Sequence, residues 1–120
     1  IRIVPLPCPG LMEFVERGDL EGEDLRTYLQ ELLGTVSEKP IDGIVLGCTH
    51  YPFVRKMIQE IAGDKVTIYD GGPGTAREMK RRLQEKDLLN PKTSQGTVRF
   101  FNSRDTQEEI TLCEALFSRK

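Results

Sequence analysis

The sequence is poor in the patterns that mark disulfide, redox and zinc proteins. Its three cysteines are an odd number without a Cys-x-x-Cys pair, so no disulfide framework is expected and the usage fits a reducing compartment. The single histidine stands two residues from Cys48, but one cysteine and one histidine supply only two of the four ligands a structural zinc needs. No metal is expected. Apolar runs of about 20 residues, the length that crosses a bilayer, are missing. The first residues also lack the charged and apolar regions of a signal peptide. Neither membrane nor secretion is expected, and the cytoplasm is the expected location. No excess of positive charge is present either: a net charge of -2 removes the general electrostatic case for a nucleic-acid partner. Internal repeats, low-complexity segments and a clear flexible linker are absent. Ile1 stands where an initiator methionine would and already lies in an apolar run, so the chain is expected to begin inside something longer.

What is present suits an ordinary α/β domain. With 120 residues, 38% hydrophobic and 30% charged, the chain can bury one small core. Its organising stretch is Ile44-Val45-Leu46-Gly47-Cys48-Thr49-His50-Tyr51-Pro52. A short apolar run stops at a glycine, a thiol follows, and a proline opens an amphipathic segment. That order reads as strand, reactive corner and helix. Ligands bind at the carboxyl ends of strands in open α/β sheets, which is where Cys48 falls. The partial positive charge of the following helix terminus would favour its thiolate, and His50 could act as an acid or set a neighbour's protonation. The plainer reading is a buried structural cysteine with a histidine satisfied at a helix start.

Along the chain, residues 1–5 read as a strand from their β-formers and from Pro5 and Pro7. A proline-bounded loop then leads into a short apolar turn with Leu11, Met12, Phe14 and Val15. Leu25, Leu29, Leu32 and Leu33 recur at helical spacing, with Gly34 as the stop. Residues 44–46 read as a strand buried on both faces. Pro52 suits the first turn of a helix with a stripe of Val54, Met57, Ile58 and Ile61, ending at Gly63. Residues 65–70 read as the next strand, completing a parallel βαβ unit. A helix is expected over 75–89, with Thr75 and Glu78 at capping-box spacing. The glycines before it lack the lysine of a phosphate loop, and its Arg77, Lys80, Arg81, Arg82 and Lys86, interrupted by Glu78 and Glu85, read as a solvated face. After a polar loop over 90–96, residues 97–101 read as a strand. Asp105 and Glu108 suggest a cap for a last helix that packs Ile110, Cys113 and Phe117 on one side, with Cys113 in the core.

Leu-Gly-Cys-Thr-His-Tyr-Pro after a strand resembles the second cysteine signature of the glutamate racemases, within the aspartate/glutamate racemase superfamily. Relatives specific for aspartate usually carry an acidic residue where this chain has His50. Cys8-Pro9 followed by Val15-Glu16 and Gly18, and Asp70 followed by small residues, resemble two further landmarks of the family in the same order. The match is to the carboxy-terminal half of such an enzyme. The family's Cys-Asn-Thr motif and amino-terminal Asp-Ser-Gly loop do not occur here.

The resemblance implies a three-layer α/β sandwich with a mostly parallel sheet, part of a two-domain racemase fold. Residues 1–68 would be the latter part of the second domain, and 69–120 a segment returning to the first. It implies cofactor-independent interconversion of L- and D-glutamate by two thiols on opposite faces of the substrate, supplying D-glutamate for bacterial peptidoglycan. Cys48 matches the second thiol, the one facing the L-enantiomer. His50 is implied as its acid/base assistant, Thr49 as a contact to the substrate's charged groups, and Glu16 as a carboxylate tuning protonation. Read on its own, Glu16 is a solvated helix-end carboxylate. Cys8 lacks the Asn-Thr sequel of the first catalytic thiol and reads as structural.

Two departures from the family pattern stand out. Glu13 brings a charge into a run that is usually apolar, and Gly71 replaces the serine expected after Asp70, so no substrate role is assigned there. One thiol cannot serve both faces of a substrate. The expected partners are therefore glutamate, the missing amino-terminal racemase portion and a second copy in a homodimer, and the chain alone is expected to be inactive. If isolated, it should expose normally covered surfaces and associate. The competing reading is a noncatalytic fragment or interaction module that keeps the fold.

Overall fold

The computed structural model describes residues 1–36, 40–104 and 106–118. The chain divides into two compact units, Ile1–Asp70 and Gly71–Lys120. Among the described residues, five α-helices and two strands form an α/β fold with a small parallel sheet. No helix there is long and apolar enough to cross a membrane.

The first unit begins with an extended run that leads into α1 (Leu11–Glu16). This short helix ends when Gly18 takes a positive φ of 71°. The Gly18 N–H then donates to Val15 O and the Asp19 N–H to Phe14 O, the paired closure that favours glycine at this position. Helix α2 (Glu23–Gly34) follows, burying Leu25 and Leu29 four residues apart on one face. Strand β1 (Gly43–Val45) leads to the cysteine corner and a 3₁₀ turn over Tyr51–Val54 with Pro52 in its first turn. Helix α3 (Arg55–Ala62) buries Met57 and Ile58, and β2 (Thr67–Tyr69) pairs parallel with β1 in the register Ile44 to Ile68.

All the buried hydrophobic side chains belong to this unit. Its core is made of Leu11, Val15, Leu20, Leu25, Leu29, Leu46, Val54, Met57, Ile58, Val66 and Ile68. The short link from α3 to β2 is tied by one side chain: Gln59 Nε2 donates to both Gly63 O and Val66 O at 2.9 Å.

The second unit holds α4 (Gly72–Glu85) and α5 (Gln107–Ser118), neither with a buried residue. Phe100 and Phe117 meet edge to face, with ring centroids 5.5 Å apart. On α4, Arg81 pairs with Glu78 and Glu85, and Arg82 with Glu78, so these charges satisfy each other on a solvated face.

Several sequence expectations are corrected. Residues 1–5 and 97–101 form no strand, because β-forming composition becomes a strand only where a neighbouring ladder accepts its backbone. β1 is not buried on both faces: Val45 is 77% exposed, since among the described residues nothing covers the face it stands on. α4 starts at Gly72 rather than Thr75, with Pro73 in its first turn. Thr75 therefore lies inside the helix, its N–H bonding Gly71 O, and Glu78 turns to arginines instead of a cap. The same helix closes at Glu85 instead of reaching Leu89, with Asp87 at φ 55° and Leu88 N–H donating to Leu83 O. Cys113 is only half-buried, because α5 has no buried face. Asp105, read as a cap, lies outside the described residues; the Thr106 hydroxyl accepts from Glu109 N–H at 3.4 Å instead.

Candidate active site

β1 delivers the chain through buried Leu46 and exposed Gly47 to Cys48, which is half-buried. The turn then brings His50 back beside the thiol, with Cys48 Sγ 3.8 Å from His50 Nδ1. The other ring nitrogen, Nε2, lies 2.8 Å from Glu16 Oε1 at the end of α1. One imidazole thus bridges a thiol two residues away and a carboxylate 34 residues away in sequence. Thr49 is exposed between them in sequence.

The electrostatics of Cys48 and His50 agree with this geometry. The backbone N–H of His50 is the largest influence holding the Cys48 thiol below its ordinary range; partial burial opposes this, and the His50 ring and Tyr51 N–H reinforce it. The Glu16 carboxylate raises His50, partial burial lowers it, and Cys48 raises it further. A thiol pulled down beside an imidazole pushed up shifts the pair toward thiolate and imidazolium, the direction that makes a sulfur nucleophilic and basic. Sequence reasoning assigned the lowering to a helix terminus. α3 begins only at Arg55, beyond a four-residue 3₁₀ turn, so the immediate cause is the turn's own backbone donors.

Two tyrosines that the sequence reading passed over brace this corner. Tyr51, itself raised chiefly by partial burial, lies close enough to the Cys8 thiol to influence its titration, and the Tyr28 hydroxyl donates to Pro9 O at 2.9 Å. Burial raises Cys8, a Tyr51 hydrogen bond lowers it, and the nearby Cys48 charge raises it again. Its Sγ also donates to Leu6 O at 3.2 Å. The signal for Tyr51 was its place inside the Cys-Thr-His-Tyr-Pro run. Behind the corner, Arg55 pairs with Asp70 and donates through Nη2 to Ile68 O at 2.9 Å, which ties the start of α3 to the end of β2. Among the described residues, no group of three or more His, Cys, Asp or Glu side chains could hold a metal.

No family model matches the chain. A glutamate racemase of Clostridium perfringens is 48% identical over 119 residues, covering 99% of this chain and 46% of that protein. The crystal structure of a Francisella tularensis glutamate racemase in complex with D-glutamate has a TM-score of 0.76, covering 92% of this chain and 41% of its own at 26% identity. That of a Thermus thermophilus glutamate racemase in complex with β-chloro-D-alanine gives 0.61, with 71% and 32% covered at 31% identity. A parallel α/β core with a thiol at a strand's carboxyl end, in a chain with such neighbours, places the molecule among relatives of the amino-acid racemases. More narrowly, the chain is related to the glutamate racemases and matches their carboxy-terminal half. It spans less than half the length of the relatives it matches.

Proposed function

We propose that this chain supplies one half of a glutamate racemase site, with Cys48 as the acid/base thiol on one face of the substrate. The observation that supports it best is the Cys48–His50–Glu16 relay at the carboxyl end of β1. As thiolate, Cys48 takes the α-proton of L-glutamate; in the reverse direction its thiol protonates the carbanion. His50 carries the compensating charge and Glu16 sets its protonation, while Thr49 contacts the substrate's charged groups. The opposite thiol comes from the amino-terminal portion that the relatives possess. In this reading residues 1–68 are the latter part of one racemase domain and 69–120 return to the other. The assembled enzyme is a homodimer in the bacterial cytoplasm, needs no cofactor and feeds D-glutamate to peptidoglycan synthesis.

The test is racemisation of L-glutamate in deuterium oxide by this chain joined to an amino-terminal racemase portion, reading deuterium at Cα. Deuterated D-glutamate is expected, with Cys48→Ser abolishing it and His50→Asn lowering the rate roughly 100-fold or more. Efficient racemisation by the 120-residue chain alone would refute the one-thiol assignment.

A further inference from the structure

Helix α1 carries Glu16 as its last residue, yet little in the helix itself fixes where that residue points. Its six residues make a rod only about 9 Å long, well below the length at which a helix holds itself in water. Its N-cap is Gly10 at φ 90°, with no side-chain cap. Leu11 and Val15 anchor it by burial. They stand four residues apart on one line of the helix, and apolar burial has no direction, so it presses α1 onto the core without fixing its tilt. A tilt of about 15° moves the far end of such a rod by about 2 Å. That is enough to break the 2.8 Å contact of Glu16 with His50.

The directional contacts come from one side chain of α2. The Tyr28 hydroxyl donates to Pro9 O at 2.9 Å, just ahead of α1. The Tyr28 ring meets Phe14 within the helix, with centroids 5.6 Å apart and planes tilted by 43°. Phe14 also carries the Arg17 guanidinium 4.6 Å from its ring centroid, so the residues on either side of Glu16 belong to the same cluster. Tyr28 stands on firm ground, since Leu25 and Leu29 of its own helix are buried. Two anchors separated along α1 fix a tilt that one cannot.

We propose that Tyr28 is a positioning residue for the candidate site: its hydroxyl and ring together hold α1 at the tilt that brings Glu16 to His50. It acts through Glu16, which meets Nε2 of the imidazole while Cys48 faces Nδ1. These two are the groups whose charge reaches His50. The proposal deepens the racemase reading, on which its catalytic consequence rests; the clamp itself is measured without turnover.

The experiment follows the proton NMR titration of the lone histidine in the 120-residue chain for Tyr28→Ala, Tyr28→Phe, Glu16→Gln and Tyr28→Ala combined with Glu16→Gln. Tyr28→Ala is expected to move the midpoint down, in the direction of Glu16→Gln, and Tyr28→Phe, which keeps the ring, to move it less. With Glu16→Gln already in place, Tyr28→Ala should move it no further, which a general loosening of the fold would not give. An unchanged midpoint in Tyr28→Ala of natural helicity overturns the clamp, and so does a shift that persists in the Glu16→Gln background. If Tyr28→Ala loses helicity, Tyr28→Phe decides: a downward shift supports the clamp and no shift overturns it. In the chain joined to an amino-terminal racemase portion, Tyr28→Ala should lower kcat about ten-fold with KM changed less than about two-fold. Natural kcat in that variant overturns the positioning role and leaves the racemase reading standing. No racemisation by the joined natural chain refutes the racemase reading, while the titrations still decide the clamp.

Discussion

Glu16 and His50 are joined at 2.8 Å although α1 and the cysteine turn are 34 residues apart. The carboxylate is the main reason that His50 is raised above its ordinary 6.5. Replacing it by the neutral Glu16→Gln is expected to return the imidazole toward that value, which proton NMR of the lone histidine reads directly.

The same pair carries a sign for stability. The folded pKa of His50 lies above its unfolded one, so the pair's contribution is fully present below about pH 6.5 and is lost as pH rises through the folded value. The stability gap between the natural chain and Glu16→Gln should be widest near the acid end of that window and narrow toward alkaline pH. Both partners are partly exposed, so the gap should not exceed about 1 kcal/mol in urea titrations.

The two thiols of the first unit should separate by reactivity. Cys48 lies below the ordinary 9.0 and Cys8 above it. Iodoacetamide, followed by peptide mass analysis across pH, should label Cys48 first, with its midpoint shifted down and that of Cys8 shifted up. Since the backbone N–H of His50 is the largest cause at Cys48, His50→Ala should retain part of the lowering. Complete return of Cys48 to an ordinary midpoint in that variant would contradict the backbone origin.

Stability should be concentrated in the first seventy residues. Leu25 is fully buried whereas Phe117 is 53% exposed. Leu25→Ala should cost about 2–5 kcal/mol of unfolding free energy and Phe117→Ala within about 0.5 kcal/mol. Equal effects on the urea midpoint would mean that α5 has a core of its own.

Gly63 offers a backbone test free of packing. It holds φ 85° and ψ 162°, a region nearly closed to other residues, and nothing lies within 4 Å of where a Cβ would stand. Gly63→Ala should therefore destabilise through strain alone, by about 1–3 kcal/mol, with the urea slope unchanged.

Where the sequence was read well, the information was local. The leucine spacing of α2, the stripe of Val54, Met57 and Ile58 and the stops near Gly34 and Gly63 depend on residues a turn apart, and each is found. Residues 1–5 and 97–101 failed for the opposite reason: a strand is defined by a partner, and no composition within the segment says whether one is present. Thr75 and Glu78 have cap spacing, but Pro73 lets α4 start a turn earlier and strands the motif inside it. At the site, Cys48 and His50 were legible as neighbours in one turn. The family resemblance put Glu16 near this half of the site, but its contact with His50 was not legible, because it depends on how α1 folds back onto the corner.

Arg55 gives the corner a mechanical character. Its backbone begins α3 directly after the turn that carries Cys48, while its side chain grips Ile68 O and Asp70 at the end of β2. The turn and the strand end thus form a single bracket with two feet. A slip of β2 by one residue would swap its inward Ile68 for an outward neighbour and pull Arg55 with it, so the aim of the thiol is set by the seating of the next strand as well as by its own.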